Sequence, residues 1–145
     1  MDNYRHLLLA TDFSDEGDQV AERARVLRDL FAARLSLVHV VEYLPLVYSG
    51  DLALPDDYNL EQELQAVARG RLAEVGRRLG VAEGDRHLLL GGSAREIMEI
   101  VEKESVDLIV VGNHARRGLA SLLGSTTDSI LHHTVCDLLA VRVGD

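Results

Sequence analysis

Five short apolar runs alternate with helical patterns along this chain, and this alternation limits the fold more than any other feature. The runs are rich in Val, Ile and Leu and are predicted as strands at residues 6–11, 35–41, 86–90, 107–111 and 138–143. The first, second and fourth runs are almost continuously apolar, as is typical of strands buried on both faces of a parallel sheet. Arg142 interrupts the fifth run, which indicates a strand at the edge of the sheet.

Four amphipathic segments lie between these strands and are predicted as helices. The first two carry apolar stripes at helical spacing, with Val20, Ala24, Leu27 and Phe31 in one and Leu60, Leu64, Val67, Ala68, Leu72, Val75 and Leu79 in the other. Ser14 is the expected N-cap of the first helix, a capping box at residues 93–96 opens the third, and Ser125 begins the fourth. Strands that alternate with helices in this way predict an α/β three-layer sandwich around a mainly parallel sheet.

Length and charge narrow the classes of protein to which the chain can belong. Its 145 residues suit a single domain, residues 1–145, because domains cluster at about 100–150 residues. The net charge is 15 − 24 = −9, and an acidic surface repels nucleic-acid phosphates and anionic lipids. We therefore expect neither nucleic acid nor membrane as a partner. No signal-peptide pattern or bilayer-spanning run is visible, and a single cysteine rules out a disulfide framework, so a cytoplasmic protein is expected.

A ligand site is expected at one end of the sheet. In open α/β sheets, ligands bind outside the carboxyl ends of the strands, at the point where the strand order reverses. The loops after the first and fourth predicted strands are therefore the main candidates. The first loop, residues 10–16, is acidic and lacks the G-x-G-x-x-G pattern, which excludes a dinucleotide fingerprint and a flavodoxin-type phosphate loop.

The loop after the fourth predicted strand has the opposite character, because it is cationic and contains glycines. Arg116 and Arg117 supply positive charge, and Ser125 and Thr126 stand where a helix is expected to begin, so that their N–H groups would face an anion. These residues predict a phosphate site. Ordinary turn and capping chemistry accounts for the same residues, so both interpretations stay open.

Other reactive side chains give weaker signals. His132 and His133 are adjacent and cannot form a metal-binding i, i+4 pair, while His39 in a buried strand is expected to be a hydrogen-bonded structural imidazole. Cys136 has no nearby partner and is expected to be an inert, buried thiol. The third strand ends without the aspartate of a receiver domain, and no G-x-S-x-G nucleophile elbow is present. No metal ligand and no catalytic residue is therefore predicted.

The chain resembles the universal stress protein A family over nearly its whole length. The resemblance rests on residues 6–14 (HLLLATDFS), 37–40 (LVHV), 107–112 (DLIVVG), 122–126 (LLGST) and 136–142 (CDLLAVR). It implies a five-stranded parallel sheet of order 3-2-1-4-5, in the adenine-nucleotide α-hydrolase-like arrangement. Members of the family are typically homodimers that pair through the fifth strand, which here is the run from Leu138 to Val143.

Some members of the family bind ATP through a loop patterned G-x2-G-x9-G-(S/T), whereas others lack this loop. Here Gly112, Gly124 and Ser125 match the pattern, but Ala115 takes the place of the second glycine and only eight residues separate it from Gly124. Alanine at a position that requires positive φ costs about 1 kcal/mol. Gly118 partly restores the lost freedom, and both a nucleotide-binding and a nucleotide-free protein stay open.

The resemblance also implies which residues would hold a nucleotide together with Mg²⁺. Asp12 would lie by the adenine or ribose, Val41 would offer backbone groups to the base, and the later loop would hold the phosphates. The full implied set is Ala10, Thr11, Asp12, Val41, Val111, Gly112, His114, Ala115, Gly124, Ser125, Thr126 and Thr127.

The first hypothesis from the sequence is a dimeric stress-response protein with ATP as a regulatory ligand. A nucleotide-free dimeric interaction protein is the second hypothesis, and a slow ATP hydrolase is the third. Binding is favoured over fast catalysis because no general base or nucleophile stands beside the predicted phosphate loop. The long segment from Glu42 to Asn59 contains both prolines and is expected to cover the site or the dimer face.

Overall fold

The computed structural model describes residues 3–11, 13, 17–41, 60–90, 94–114 and 134–143. Its elements in chain order are β1 (His6–Ala10), α1 (Gly17–Phe31), β2 (Arg34–Val41), α2 (Leu60–Leu79), β3 (Arg86–Leu90), α3 (Ala94–Lys103), β4 (Leu108–His114) and β5 (Asp137–Val143). A 3-10 turn, Glu83–Asp85, precedes β3. Every predicted strand and the first three predicted helices are therefore present, while the predicted fourth helix and the caps Ser14 and Ser93 lie outside the described residues.

The strands form one parallel sheet in the order β3-β2-β1-β4-β5. This confirms the expected order 3-2-1-4-5 and the α/β class. The reversal of strand order falls between β1 and β4, where Leu9 pairs with Val110. β5 lies at one edge of the sheet, as the interruption by Arg142 indicated.

β4 is longer than its sequence pattern predicted. The apolar run ends at Val111, but the strand continues to His114. Three further pairs in parallel register with β5 extend it: Gly112 with Val141, Asn113 with Arg142, and His114 with Val143. The prediction that Gly112 and His114 belong to a loop was therefore wrong, because pairing with a distant strand outweighs the local turn preference of glycine.

Two apolar cores lie on opposite faces of the sheet. On one face, α1 and α2 pack against alternate strand residues such as Leu7, Leu9 and Leu37. On the other face, α3 packs against Leu8 and Ile109 through its own Ile97 and Val101. Alternate residues of a strand point to opposite faces, so a strand that is apolar at every position fills both cores.

The apolar stripe of α2 is not buried along its whole length. Ala68, Leu72 and Leu79 are buried, whereas Leu64 and Val67 are 37% and 58% exposed. The stripe therefore identified the helix, but not which of its apolar residues are buried.

All three described helices end in the same type of cap. The residues Ala32, Gly80 and Ser105 have φ of 51°, 71° and 57°, respectively. In each case the next N–H donates to a carbonyl five residues earlier: Ala33 to Arg28, Val81 to Gly76, and Val106 to Val101. This is the Schellman pattern, which satisfies helix-end carbonyls and turns the chain back into the sheet.

A polar network joins several segments at the amino ends of the strands. His6 is buried, and its Nδ1 donates to the Glu104 carbonyl at 2.9 Å. A carbonyl only accepts, so Nδ1 carries the ring proton and Nε2 accepts from the Ser36 hydroxyl at 2.7 Å. The Asp107 carboxylate accepts the backbone N–H groups of Arg5 and His6 at 2.9 and 3.1 Å.

Arg34 extends this network toward β3. Its guanidinium bonds the carboxylates of Asp85 and Glu104, and the hydrogen bond from Arg34 lowers the pKa of the Asp85 carboxyl. His87 Nε2 lies 2.9 Å from Glu104 Oε2 but has no hydrogen-bond partner, so the ring nitrogen is close to the carboxylate without being aimed at it. The amino ends of the strands are therefore tied together by directed polar contacts.

Candidate functional site

The carboxyl ends of β1 and β4 meet at the switch point of the sheet. The register of Leu9 with Val110 places Ala10 and Thr11 beside Val111 and Gly112. Ala10 and Val111 are buried and apolar, and Thr11 is buried with a hydroxyl. Four of the predicted site residues are thus brought together, in the position where open α/β sheets bind their ligands. Val41, a fifth, ends the neighbouring strand β2.

The chain directly after β1 is held by β2. The Thr11 N–H donates to the Val38 carbonyl at 3.0 Å, and His39 Nδ1 donates to the Thr11 carbonyl at 2.5 Å. The Phe13 ring lies against the His39 ring, with centroids 4.0 Å apart. His39 is therefore a hydrogen-bonded structural imidazole, as the sequence indicated.

Phe13 has a backbone conformation that is unusual for a large residue. Its φ is 62°, and its N–H donates to Thr11 Oγ1 at 3.4 Å. Phe13 also packs against the core beneath α1 and α2. This turn could not be predicted, since no glycine or asparagine marks it in the sequence.

A cavity of about 410 Å³ opens beside this turn, between the first turn of α1 and the middle of α2. Its polar lining includes Arg71, Glu74 and Arg78 from α2. Arg78 also forms an ion pair with Asp18 of α1 at 3.1 Å. The apolar stripe of α2 does not predict this cavity. The signal for it in the sequence is the spacing of Arg71, Glu74 and Arg78 at i, i+3 and i+7, which places three charged side chains on one face of the helix.

Gly112 and His114 are strand residues at the end of β4. Both pair with β5, so their backbone groups belong to the sheet ladder. Gly112 is also buried. The other predicted site residues, Asp12, Ala115, Gly124, Ser125, Thr126 and Thr127, lie outside the described residues, as does the segment from Glu42 to Asn59.

The described residues at the switch point are mainly apolar. Ala10 and Val111 lie in the buried core on the α3 face of the sheet, Thr11 brings a hydroxyl, and Val41 ends the neighbouring strand β2. Apolar walls with a few polar groups are typical of small-molecule sites. Within the described ranges, no group of three or more His, Cys, Asp or Glu side chains could hold a metal ion.

Cys136 lies just before β5 and is partly buried. Desolvation by burial raises the pKa of its thiol. A raised pKa keeps the sulfur protonated, whereas a redox-active cysteine needs an accessible thiolate. The raised pKa disfavours a thiolate, as an inert thiol requires, but the side chain is only partly buried and not fully buried as predicted. In the part of the chain that the structure describes, no helix is long and apolar enough to cross a membrane.

Comparison with known proteins gives a consistent result over nearly the whole chain. The profile of the Universal stress protein family matches residues 3–142. Universal stress protein A homolog 1 of Coxiella burnetii is 40% identical over 139 residues, which cover 96% of each chain.

Solved structures share the fold at lower identity. The structure of MJ0577, a universal stress protein of Methanocaldococcus jannaschii, superposes with a TM-score of 0.74 at 23% identity and covers 99% of both chains. A universal stress protein solved in complex with cAMP superposes with a TM-score of 0.66 at 20% identity and covers 97% of this chain and 98% of its own. These two likenesses support the fold alone, whereas the match to the family profile and the 40% identity decide the family. The chain belongs to the universal stress protein family.

Proposed function

We propose that this chain is a homodimeric, cytoplasmic stress-response protein that binds ATP as a regulatory ligand in the crevice between β1 and β4. The observation that carries the proposal is the meeting of Ala10 and Thr11 with Val111 and Gly112 at the switch point of the sheet. A universal stress protein of the same fold was solved with cAMP, which supports an adenine nucleotide as the class of ligand.

Each predicted residue has a task in this proposal. Ala10, Thr11 and Val111, at the strand ends, border the base, and Val41 offers backbone groups to it. Asp12 accepts hydrogen bonds from adenine or ribose. Gly112, His114 and Ala115 line the path to the phosphates. The phosphates are bound by Gly124, Ser125, Thr126 and Thr127. They carry the Mg²⁺ ion, whose positive charge lowers the electrostatic cost of placing phosphates on an acidic protein.

The homodimer is proposed to form through the run from Leu138 to Val143. β5 lies at an edge of the sheet, so one side of its backbone is available to a second copy. Its residues Leu138 and Leu139 are half-buried, and Ala140 is exposed. Pairing of two β5 strands would extend the sheet across both copies. We expect Ala140→Lys to produce monomers in sedimentation velocity runs; a wild type that is monomeric at micromolar concentration would refute this part.

Thermal melting with and without a millimolar excess of Mg-ATP tests the nucleotide. A ligand at 100 times its Kd stabilises the folded state by about 2.7 kcal/mol, which raises the Tm by several degrees. We expect this shift in the wild type and its loss in Asp12→Ala and Ser125→Ala. Ser105→Gly, at the other end of the sheet, is the matched control and should retain the shift. A parallel melt with cAMP determines whether the site prefers the triphosphate.

The nucleotide-free dimer is the second candidate, because Ala115 and the eight-residue spacer depart from the ATP-loop pattern. Absence of a melting shift, together with absence of nucleotide released from the purified protein, would favour it and overturn the ATP site. If Ala115 only weakens binding, Ala115→Gly should tighten the Kd for Mg-ATP about fivefold, the equivalent of about 1 kcal/mol.

A further inference from the structure

Thr11 and Phe13, the residues on either side of position 12, both contact one side chain of β2, His39. On the amino side, His39 Nδ1 donates to the Thr11 carbonyl at 2.5 Å. On the carboxyl side, the Phe13 ring lies 4.0 Å from the His39 ring, with 35° between the planes. His39 thus contacts the residue before position 12 and the residue after it.

Both backbone polar groups of Thr11, the N–H and the carbonyl, form hydrogen bonds with β2. Its N–H donates to Val38 at 3.0 Å, and its carbonyl accepts from His39, the next residue along β2. A carbonyl only accepts, so this contact requires the His39 tautomer with the proton on Nδ1. Loss of the imidazole would leave the Thr11 carbonyl without this donor in a buried position.

Phe13 has a strained backbone conformation that its contacts must stabilise. A φ of 62° lies in the left-handed region, which a residue with a Cβ adopts only at a cost in free energy. Contacts with His39, with the core beneath α1 and α2, and with Thr11 Oγ1 oppose this cost. Strained residues of this kind persist only where the surroundings hold them, and they cluster at functional sites.

We propose that His39 is a positioning residue of the nucleotide site: it holds residues 11 and 13 so that Asp12 meets the adenine or ribose in one orientation. This inference rests on the proposed function. A loop that is ordered before the ligand arrives loses less conformational entropy on binding, which appears as tighter affinity. His39 itself does not touch the nucleotide in this arrangement; it acts through Asp12.

Two substitutions of equal shape separate the hydrogen bond from simple packing. In His39→Asn, the amide nitrogen replaces Nδ1 as a donor to Thr11, whereas His39→Leu has the same shape and no donor. By calorimetric titration, we expect His39→Leu to weaken the Kd for Mg-ATP about tenfold, the equivalent of about 1.4 kcal/mol. We expect His39→Asn to retain most of the affinity.

A second readout needs no nucleotide. In His39→Leu without ligand, amide hydrogen exchange at Thr11 and Phe13 should be about tenfold faster than in the wild type, because local opening sets the rate. The control Leu35→Ala removes a buried side chain at the other end of β2 and lowers global stability without contacting residues 11 or 13. It should leave the Mg-ATP affinity unchanged at temperatures where it is folded.

The two readouts distinguish failure of this inference from failure of the proposed function. If the wild type binds Mg-ATP and His39→Leu binds it equally well, His39 is not a positioning residue. Unchanged exchange at Thr11 and Phe13 in His39→Leu would also overturn the inference. If the wild type does not bind Mg-ATP, the proposed ligand is wrong and the positioning role toward it falls too, while faster exchange in His39→Leu would still identify His39 as the anchor of the turn.

Discussion

At the amino ends of the strands, several polar side chains join segments that are distant in sequence, whereas among the described residues of the carboxyl ends the side-chain contacts of the turn centre on His39. The imidazole of His6 bonds Ser36 and the Glu104 carbonyl, and Asp107 binds two backbone N–H groups. At the opposite end, the turn at Thr11 and Phe13 depends on His39. The described contacts at the amino ends supply stability, and the proposed ligand site lies at the opposite ends of the strands, which is the usual division in parallel α/β proteins.

The largest expected effect comes from the buried imidazole. His6→Ala leaves the Ser36 hydroxyl and the Glu104 carbonyl without their partners, and each buried unsatisfied group costs about 1–3 kcal/mol. We expect a loss of about 3 kcal/mol in the free energy of unfolding, measured by urea denaturation. The control His87→Ala removes an imidazole whose Nε2 makes no hydrogen bond and should cost far less.

Thr11→Val provides the matching change at the carboxyl end. It removes a hydroxyl that accepts one long hydrogen bond from Phe13 at 3.4 Å. If Thr11→Val destabilised the protein as much as His6→Ala, the proposed division between the two ends would be wrong.

A pair of glycines in α2 tests the packing at the amino ends. A Cβ at Gly76 would lie 2.2 Å from Arg86 Nε, so Gly76→Ala should displace the guanidinium that bonds the Val81 carbonyl. We expect a loss of about 1–2 kcal/mol in unfolding free energy. Gly70 has no atom within 4 Å of its would-be Cβ, so Gly70→Ala should stabilise by about 0.5–1 kcal/mol. Equal effects at both glycines would argue against the importance of the Arg86 contact.

The shared helix caps predict changes of opposite sign. Ala32 and Gly80 both have positive φ, which glycine adopts at little cost and alanine does not. Ala32→Gly should raise the unfolding free energy by about 1 kcal/mol, and Gly80→Ala should lower it by about the same amount. Thermal and urea unfolding of both variants would check the signs. A loss of stability in Ala32→Gly would show that unfolded-state entropy outweighs the backbone strain at this corner.

The smallest effect concerns pH. The pKa of Asp85 is lowered in the folded state by its hydrogen bond to Arg34, so its contribution to stability is present above the ordinary pKa of the carboxyl and is lost as pH falls through the lowered value. Asp85→Asn should therefore be less stable than the wild type at pH 7, and the difference should shrink below about pH 4. The control Asp18→Asn removes an exposed ion pair with Arg78 and should change stability little. A difference that stays constant down to pH 2 would contradict the role of the ionised carboxylate.

The sequence was most informative where a local pattern and the tertiary environment agree. The continuous apolar runs identified β1 and β2, and the interruption at Arg142 identified an edge strand. Prediction failed where a partner far along the chain decides the outcome. The glycine at 112 looked like the start of a loop, but pairing with Val141 keeps it in β4. The exposure of Leu64 and Val67 is likewise a result of tertiary packing, and the apolar stripe did not indicate it.

In the candidate site too, some features could be predicted from local sequence patterns and others depend on residues far apart in the chain. The residues at the switch point, Ala10, Thr11 and Val111, could be predicted, since strand order and strand ends fix them. The support given by His39 and the strain at Phe13 could not, because they depend on two strands brought side by side. The network around His6 was likewise hidden, since Ser36 and Glu104 are 30 and 98 residues away.

The sequence by itself determined the class of fold, the alternation of strands and helices, and the end of the sheet where a ligand belongs, because periodicity and apolar burial are properties of neighbouring residues. Tertiary structure alone decided where β4 ends. It also decided that His6 is buried and hydrogen-bonded to Ser36, and that His39 contacts the turn at the proposed site. Those outcomes depend on pairing and packing between segments far apart in the chain, which satisfy polar groups that no local pattern can assign.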